Sequence, residues 1–96
     1  MTKEEFRKLT EQTLILDGAT GSNLMASGMP RGICTETWVI DHKDIIQNLQ
    51  RAYIKAGSQV IYAPTFGGNR LNLEKHGLAD RIEEINRTLV GYSKEL

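Results

Sequence analysis

Asp17-Gly18-Ala19-Thr20-Gly21-Ser22 sets one carboxylate at the mouth of a loop built from small residues. Gly18 and Gly21 let the backbone turn tightly and bring its N–H groups close to a ligand, because glycine accepts positive φ and has no Cβ to hold a ligand away. A carboxylate beside exposed N–H groups can hold a molecule that carries both an ammonium and a carboxylate. The same residues also suit an ordinary strand-to-helix turn in which the aspartate bonds its own backbone. A second loop of the same kind, Pro64-Thr65-Phe66-Gly67-Gly68-Asn69, adds weight to the binding reading.

The elements that must position these loops follow from the pattern around them. Leu14-Ile15-Leu16 is apolar without alternation and stops at Asp17-Gly18, which predicts a strand buried on both faces. Asn23 to Ala26 suits a helical turn, Gly28-Met29-Pro30-Arg31-Gly32 breaks it, and Met29 to Ile40 has no regular period. Asp41, with Asp44 three residues on, is placed to cap the next helix. There Ile45, Leu49, Ala52, Tyr53 and Ala56 make an apolar stripe, with Lys43, Gln47, Gln50, Arg51 and Lys55 on the solvated side. Gly57 stands at the C-terminal stop, and Gln59-Val60-Ile61-Tyr62-Ala63 has strand composition.

Strand, crossover helix and strand form a βαβ unit. Its parallel strands carry the two glycine-bearing loops to the same sheet edge, where open sheets and barrels bind ligands. At the front, Thr2-Lys3-Glu4-Glu5 is a capping-box pattern for a helix to about Gln12, with Phe6 and Leu9 on one face. At the back, a helix from Asn69 to His76 ends at Gly77 with Leu78 as apolar cover. Asp80 and Glu83 then read as a further box, opening a helix whose stripe is Ile82, Ile85, Leu89 and Tyr92. A third strand is the next expected element, and the sequence stops before it.

With 40% hydrophobic and 25% charged residues, the chain has the composition of an ordinary soluble protein. Its 12 basic and 12 acidic residues balance without a run of one sign, which argues against nucleic acid and anionic membranes as partners. Cys34 is the single cysteine, so the chain has no internal disulfide and no zinc site built from several of its own thiolates, and a reducing cytoplasm fits. Met1 to Lys8 mixes both charges and lacks the apolar stretch of a signal peptide, and no segment approaches the ~20 apolar residues of a membrane helix. His42 and His76 lack a paired ligand at metal spacing and read as surface or capping residues. Trp38 reads as packing, Glu36 as a polar site residue or, more commonly for such a position, an exposed carboxylate, and Lys43, Arg51 and Lys55 as a solvated face.

Asp17-Gly18-Ala19-Thr20-Gly21-Ser22-Asn23-Leu24, Ala56-Gly57-Ser58-Gln59-Val60-Ile61, Thr65-Phe66-Gly67-Gly68-Asn69-Arg70 and His76-Gly77-Leu78, in that order, resemble the opening of the homocysteine S-methyltransferase domain. The wording is closest to the cobalamin-dependent methionine synthases, and the likeness runs from Leu14 onward. It implies a (β/α)8 TIM barrel, for which about 250 residues is typical. Residues 1–96 are then an N-terminal helix and the first two βα units of that α/β fold, truncated.

The resemblance also implies zinc, held by three cysteines from later strands, which binds homocysteine as a thiolate that takes a methyl group. Zinc and cobalamin would serve the full-length protein, and none is expected on the fragment. Cys34 matches no ligand position and reads as a small buried or surface residue. Asp17 matches the aspartate that meets the homocysteine ammonium, and Gly18, Ala19 and Thr20 match the region that receives its carboxylate. Thr65 and Phe66 line the same pocket or serve as packing and capping at the strand end. The implied partners are homocysteine, the rest of the barrel, and cobalamin and folate domains. The fragment alone is expected to be inactive and, with strand edges and apolar faces uncovered, to self-associate.

Two other functions compete. In a phosphate or nucleotide module, Gly18 to Gly21 would cradle an anion, but the chain has neither G-x-G-x-x-G nor a Walker lysine. An oligomerising structural piece without a ligand rests only on the incomplete sheet.

Overall fold

The computed structural model describes residues 1–96, and helices carry most of it. α1 (Lys3–Leu9) opens on the expected capping box, Thr2 Oγ1 accepting from Glu5 N–H and Glu5 Oε2 from Thr2 N–H, both at 3.1 Å. It ends earlier than the sequence predicts and buries no residue. The radius of gyration is 14.5 Å, above the ~12.5 Å expected of a compact domain this long.

α2 (Gly21–Ala26), α3 (Thr35–Asp41), α4 (Lys43–Ala56), α5 (Arg70–Lys75) and α6 (Ile82–Lys94) follow. They enclose one core, in which Leu24, Val39, Ile46, Leu73, Ile85 and Leu89 are fully shielded from solvent. Each of the five helices supplies at least one of these side chains, so the core itself fixes their arrangement. The stripe expected on α6 is present: Ile85 and Leu89 lie inside, with Ile82 and Tyr92 packed at the margin.

Three sequence expectations in this region need correction. α3 lies in the stretch read as having no period, because a seven-residue helix is too short to display one. Asp41 ends α3 instead of capping α4, whose N-cap is His42, and no side chain caps that end. The Asp80 and Glu83 box is also absent: a 3-10 turn at Ala79–Arg81 leads into α6, and Arg81 pairs with Glu84 at 3.1 Å.

α4 is turned from its predicted orientation. Ile46, Gln47 and Gln50 are buried and Ala52 and Ala56 exposed, while Ile45 and Leu49 sit at the core margin. The glutamines face inward because α6 gives their amides partners. Gln47 Nε2 donates to Tyr92 O at 3.0 Å and Glu95 Oε2 at 2.7 Å. Gln50 Nε2 donates to Tyr62 O at 3.0 Å, and its Oε1 accepts from Ser93 Oγ at 2.9 Å. Gln50 is bonded at both ends of its amide and Gln47 through two bonds from its Nε2, and a buried amide so partnered costs little, so polarity alone was a poor guide to the exposed side.

The two predicted strands meet in one parallel bridge, Leu16 to Val60. Gln59 N–H donates to Ile15 O at 2.7 Å and Asp17 N–H to Val60 O at 3.1 Å. Gly57, at φ +118°, ends α4 as predicted and turns the chain into the second segment. Burial on both faces does not hold here. Ile15 is 51% and Leu16 41% exposed, because no further strand or layer covers them. At the C-terminal stop of α5, Gly77 takes φ +71° and Leu78 N–H bonds Leu73 O at 2.8 Å, as the glycine and its apolar follower predicted. No helix is long and apolar enough to cross a membrane.

Candidate functional site

Parallel pairing at Leu16 and Val60 sends both chains out of the bridge in the same direction, and the segments that follow meet. Tyr62 N–H donates to Asp17 Oδ2 at 3.3 Å, so the first carboxylate is fastened to the second segment and not to its own turn. Oδ1 accepts no bond within the chain. Beside this contact is a cavity of about 630 Å³. Thr20 and Gly21 of the first loop, Thr35 and Glu36 at the start of α3, and the run from Tyr62 to Phe66 line it. Volumes of a few hundred Å³ are usual for small-molecule sites.

The structure thus brings Thr20, Thr65 and Phe66 to one cavity and sets Asp17 at its edge through Tyr62. Gly18 and Ala19 stand one step back. Ala19 O accepts from Tyr53 Oη at 2.7 Å and from Asn23 Nδ2 at 2.8 Å, which pins the loop to α4 and α2. The N–H groups of Gly18, Ala19 and Thr20 donate to nothing in the chain. Phe66 is fully exposed at the rim.

Neither loop uses its glycines for positive φ, which the sequence reading had allowed for; Gly18, Gly67 and Gly68 serve close approach, while Gly21 has open space around it. A Cβ on Gly18 would stand 3.0 Å from the Tyr53 ring. One on Gly67 would stand 2.7 Å from Glu36 Oε1 and Asn72 Nδ2, and one on Gly68 2.8 Å from Asn86 Oδ1. Substitution at any of the three would force a neighbouring side chain or the backbone to move.

Glu36 is the main departure from expectation. Read more readily as an exposed carboxylate than as a polar site residue, it is 4% exposed, and its oxygens face only donors. Oε2 accepts from Gly67 N–H at 3.1 Å, and Oε1 from Asn72 Nδ2 at 3.5 Å and Cys34 Sγ at 3.7 Å. These bonds meet the rule that a buried carboxylate must be satisfied. Cys34 is buried here at the N-cap of α3. Two features could have pointed to Glu36: the helix break at Pro30 to Gly32 just ahead of it, and glycines at positions 67 and 68 with room for a polar clamp.

The remaining polar candidates are structural. Trp38 and His42 stack at 3.8 Å between ring centroids, and His42 Nδ1 bonds Trp38 O at 2.7 Å. His76 caps the C-terminus of α5 from the surface. Lys43, read as solvated, pairs with Glu95 at 2.9 Å and lies 5.1 Å from the centre of the Tyr92 ring. No group of three His, Cys, Asp or Glu side chains comes together in a way that could hold a metal ion.

A family model described as homocysteine S-methyltransferase matches residues 14–96. Methionine synthase from Mycobacterium tuberculosis (strain ATCC 25618 / H37Rv) is 31% identical over 85 residues, which is 82% of this chain and 7% of that protein. Methionine synthase from Mycobacterium leprae (strain TN) is 28% identical over 85 residues, with the same shares covered. The chain therefore spans about 7% of the length of these curated relatives.

Proposed function

The chain belongs to the homocysteine S-methyltransferase family, and we propose that in the complete protein it forms the wall that holds the amino-acid end of homocysteine during methyl transfer to give methionine. One observation carries this reading: the parallel bridge at Leu16 and Val60 fastens Asp17 to Tyr62 and gathers both glycine-bearing loops at one cavity. Asp17 Oδ1, which no group of the chain occupies, accepts from the substrate ammonium. The N–H groups of Gly18, Ala19 and Thr20, which also lack partners, receive its carboxylate. Thr65 and Phe66 line the space beside them.

The proposed fold of the complete domain is the (β/α)8 barrel, with residues 1–96 as an N-terminal helix and its first two βα units. The exposed Ile15, Leu16 and Tyr62 support it, being apolar surface that further strands would cover. The same surface supports self-association of the isolated segment. Zinc, which would supply a thiolate at neutral pH, does not fit the residues present, since no three donors converge. Its ligands, like the cobalamin site, are assigned to other parts of the protein, and the segment alone is taken to be inactive. A cytoplasmic setting agrees with an unpaired, buried cysteine.

The test is titration of the complete protein with homocysteine, ATP and NAD, with and without zinc. Homocysteine binding that requires zinc is the expected outcome. Zinc-independent nucleotide binding with no response to homocysteine would replace this reading with the phosphate-site alternative.

A further inference from the structure

Gly67 and Gly68 are held at every polar backbone atom, from three different helices and from within the turn. Gly67 N–H donates to Glu36 Oε2 of α3 at 3.1 Å, and Gly67 O accepts from Asn72 Nδ2 of α5 at 2.8 Å. Gly68 N–H donates to Thr65 O at 2.9 Å, and Gly68 O accepts from Asn86 Nδ2 of α6 at 2.7 Å. Asn86 Nδ2 also donates to Ile82 O at 2.8 Å, which fixes its direction. The cavity residues Thr65 and Phe66 immediately precede this clamped pair.

Glu36 is the unusual member of the clamp. It takes part in no salt bridge, and a buried charge without a cation is weak support for stability compared with an apolar side chain of similar size. What a carboxylate offers is acceptors only, matched here to the donors of Gly67, Asn72 and Cys34. Its bond to the Gly67 N–H, at 3.1 Å, is to an acceptor that, when ionised, binds a donor more strongly than a neutral one does.

We infer that Glu36 is a positioning residue for the substrate pocket: its carboxylate locks the Gly67-Gly68 turn and thereby sets where Thr65 and Phe66 stand against the bound amino acid. This rests on the reading of the cavity as the homocysteine site. Gln in place of Glu36 would keep the volume but turn an NH2 group toward at least one of the three donors. Asn72→Ala would release the turn from the opposite side while leaving the carboxylate bonded to Gly67.

The experiment compares the complete protein with its Glu36→Gln, Asn72→Ala and Asp17→Asn variants, measuring hydrogen–deuterium exchange of the peptide spanning 63–70 and steady-state KM for homocysteine and for the methyl donor. For Glu36→Gln the expected result is about tenfold faster exchange in that peptide, about tenfold higher KM for homocysteine, and an unchanged KM for the methyl donor. Asn72→Ala should move both readouts the same way by less, and it decides the matter if Glu36→Gln fails to fold. Normal exchange, or faster exchange with homocysteine KM unchanged, overturns the inference. So does a fall in kcat alone, which reports loss of folded enzyme. If Asp17→Asn raises homocysteine KM and the clamp variants do not, only the positioning role fails. If none of the three raises it, the site assignment itself fails.

Discussion

Asp17→Asn tests the proposed amino-acid site with the least disturbance to the fold. The one intrachain bond of the Asp17 carboxylate is that from Tyr62 N–H at 3.3 Å, and an Asn oxygen can accept the same bond. The amide nitrogen then points where the ammonium is to sit, so a charge-assisted acceptor is replaced by a donor. Hydrogen bonds to charged groups contribute about 1.5 to 3 kcal/mol, which converts to a rise in Kd of about tenfold to a hundredfold or more. Calorimetric titration of the complete protein with homocysteine measures that rise. A thiol of the same length without the amino group separates the ammonium contact from general damage, and it should bind both proteins alike. Equal homocysteine affinity in the two proteins, or an equal loss for both ligands, would refute the assignment of Asp17 to the ammonium.

Two further outcomes follow from the packing. Leu89→Ala removes a fully buried side chain from the core shared by five helices and should cost about 2 to 5 kcal/mol in urea unfolding of the complete domain; a loss below about 1 kcal/mol would mean that this core is not formed as described. Bonds from Gln47 and then Lys43 hold the Glu95 carboxylate below its ordinary range. Because the folded value is the lower one, the contribution is complete above the unfolded value of about 4.3 and is lost as pH falls through the folded value. Gln47→Leu should flatten the acid limb of stability against pH, and an unchanged limb would show that the contact at the end of α6 does not form.

The order of elements was readable because each long one carries redundant signals. α4 and α6 have sustained apolar spacing, and α1, α4 and α5 are closed by a capping box or by glycines at Gly57 and Gly77 with positive φ. What the sequence concealed was direction within elements. Apolar and amide side chains alternate around α4, and partners on and just after α6, with Tyr62 in the second strand segment, decide that Gln47 and Gln50 face inward. Local pattern cannot contain that information, since Tyr92, Ser93 and Glu95 lie more than forty positions away and Tyr62 lies beyond the end of the helix.

The site divides along the same line. The loop at Asp17 stood out because a carboxylate and small residues at a strand end are a local signature, whereas Thr20 and Thr65, which line the cavity, were singled out through the family resemblance. Glu36 could be named only as a polar candidate, because its burial and its partners Gly67 and Asn72 come about only when α3 and α5 share a core. A lone glutamate early in a short helix is normally a surface group that favours the helix dipole. Here burial reverses that reading, and the glycines at positions 67 and 68 are its counterpart in the sequence: side chains there would strike Glu36, Asn72 and Asn86.

The molecule also separates stability from recognition in space. Its shielded side chains, Leu24, Val39, Ile46, Leu73, Ile85 and Leu89, lie among the helices. On the strand side, Ile15, Leu16, Tyr62 and Phe66 remain 41% to 100% exposed around the proposed binding wall. Burying an aromatic or aliphatic side chain of this size contributes about 1.5 to 3 kcal/mol, so strands added beside Leu16 and Val60 would gain affinity for the segment from surface that already borders the pocket. On the barrel reading, closing the sheet and enclosing the substrate are therefore one step. Substitutions in the helical core should then lower stability while leaving homocysteine KM unchanged in the fraction that stays folded. Substitutions at Ile15 or Leu16 should change both, because these residues make the bridge to Val60 that sets Asp17 beside Tyr62 at the cavity.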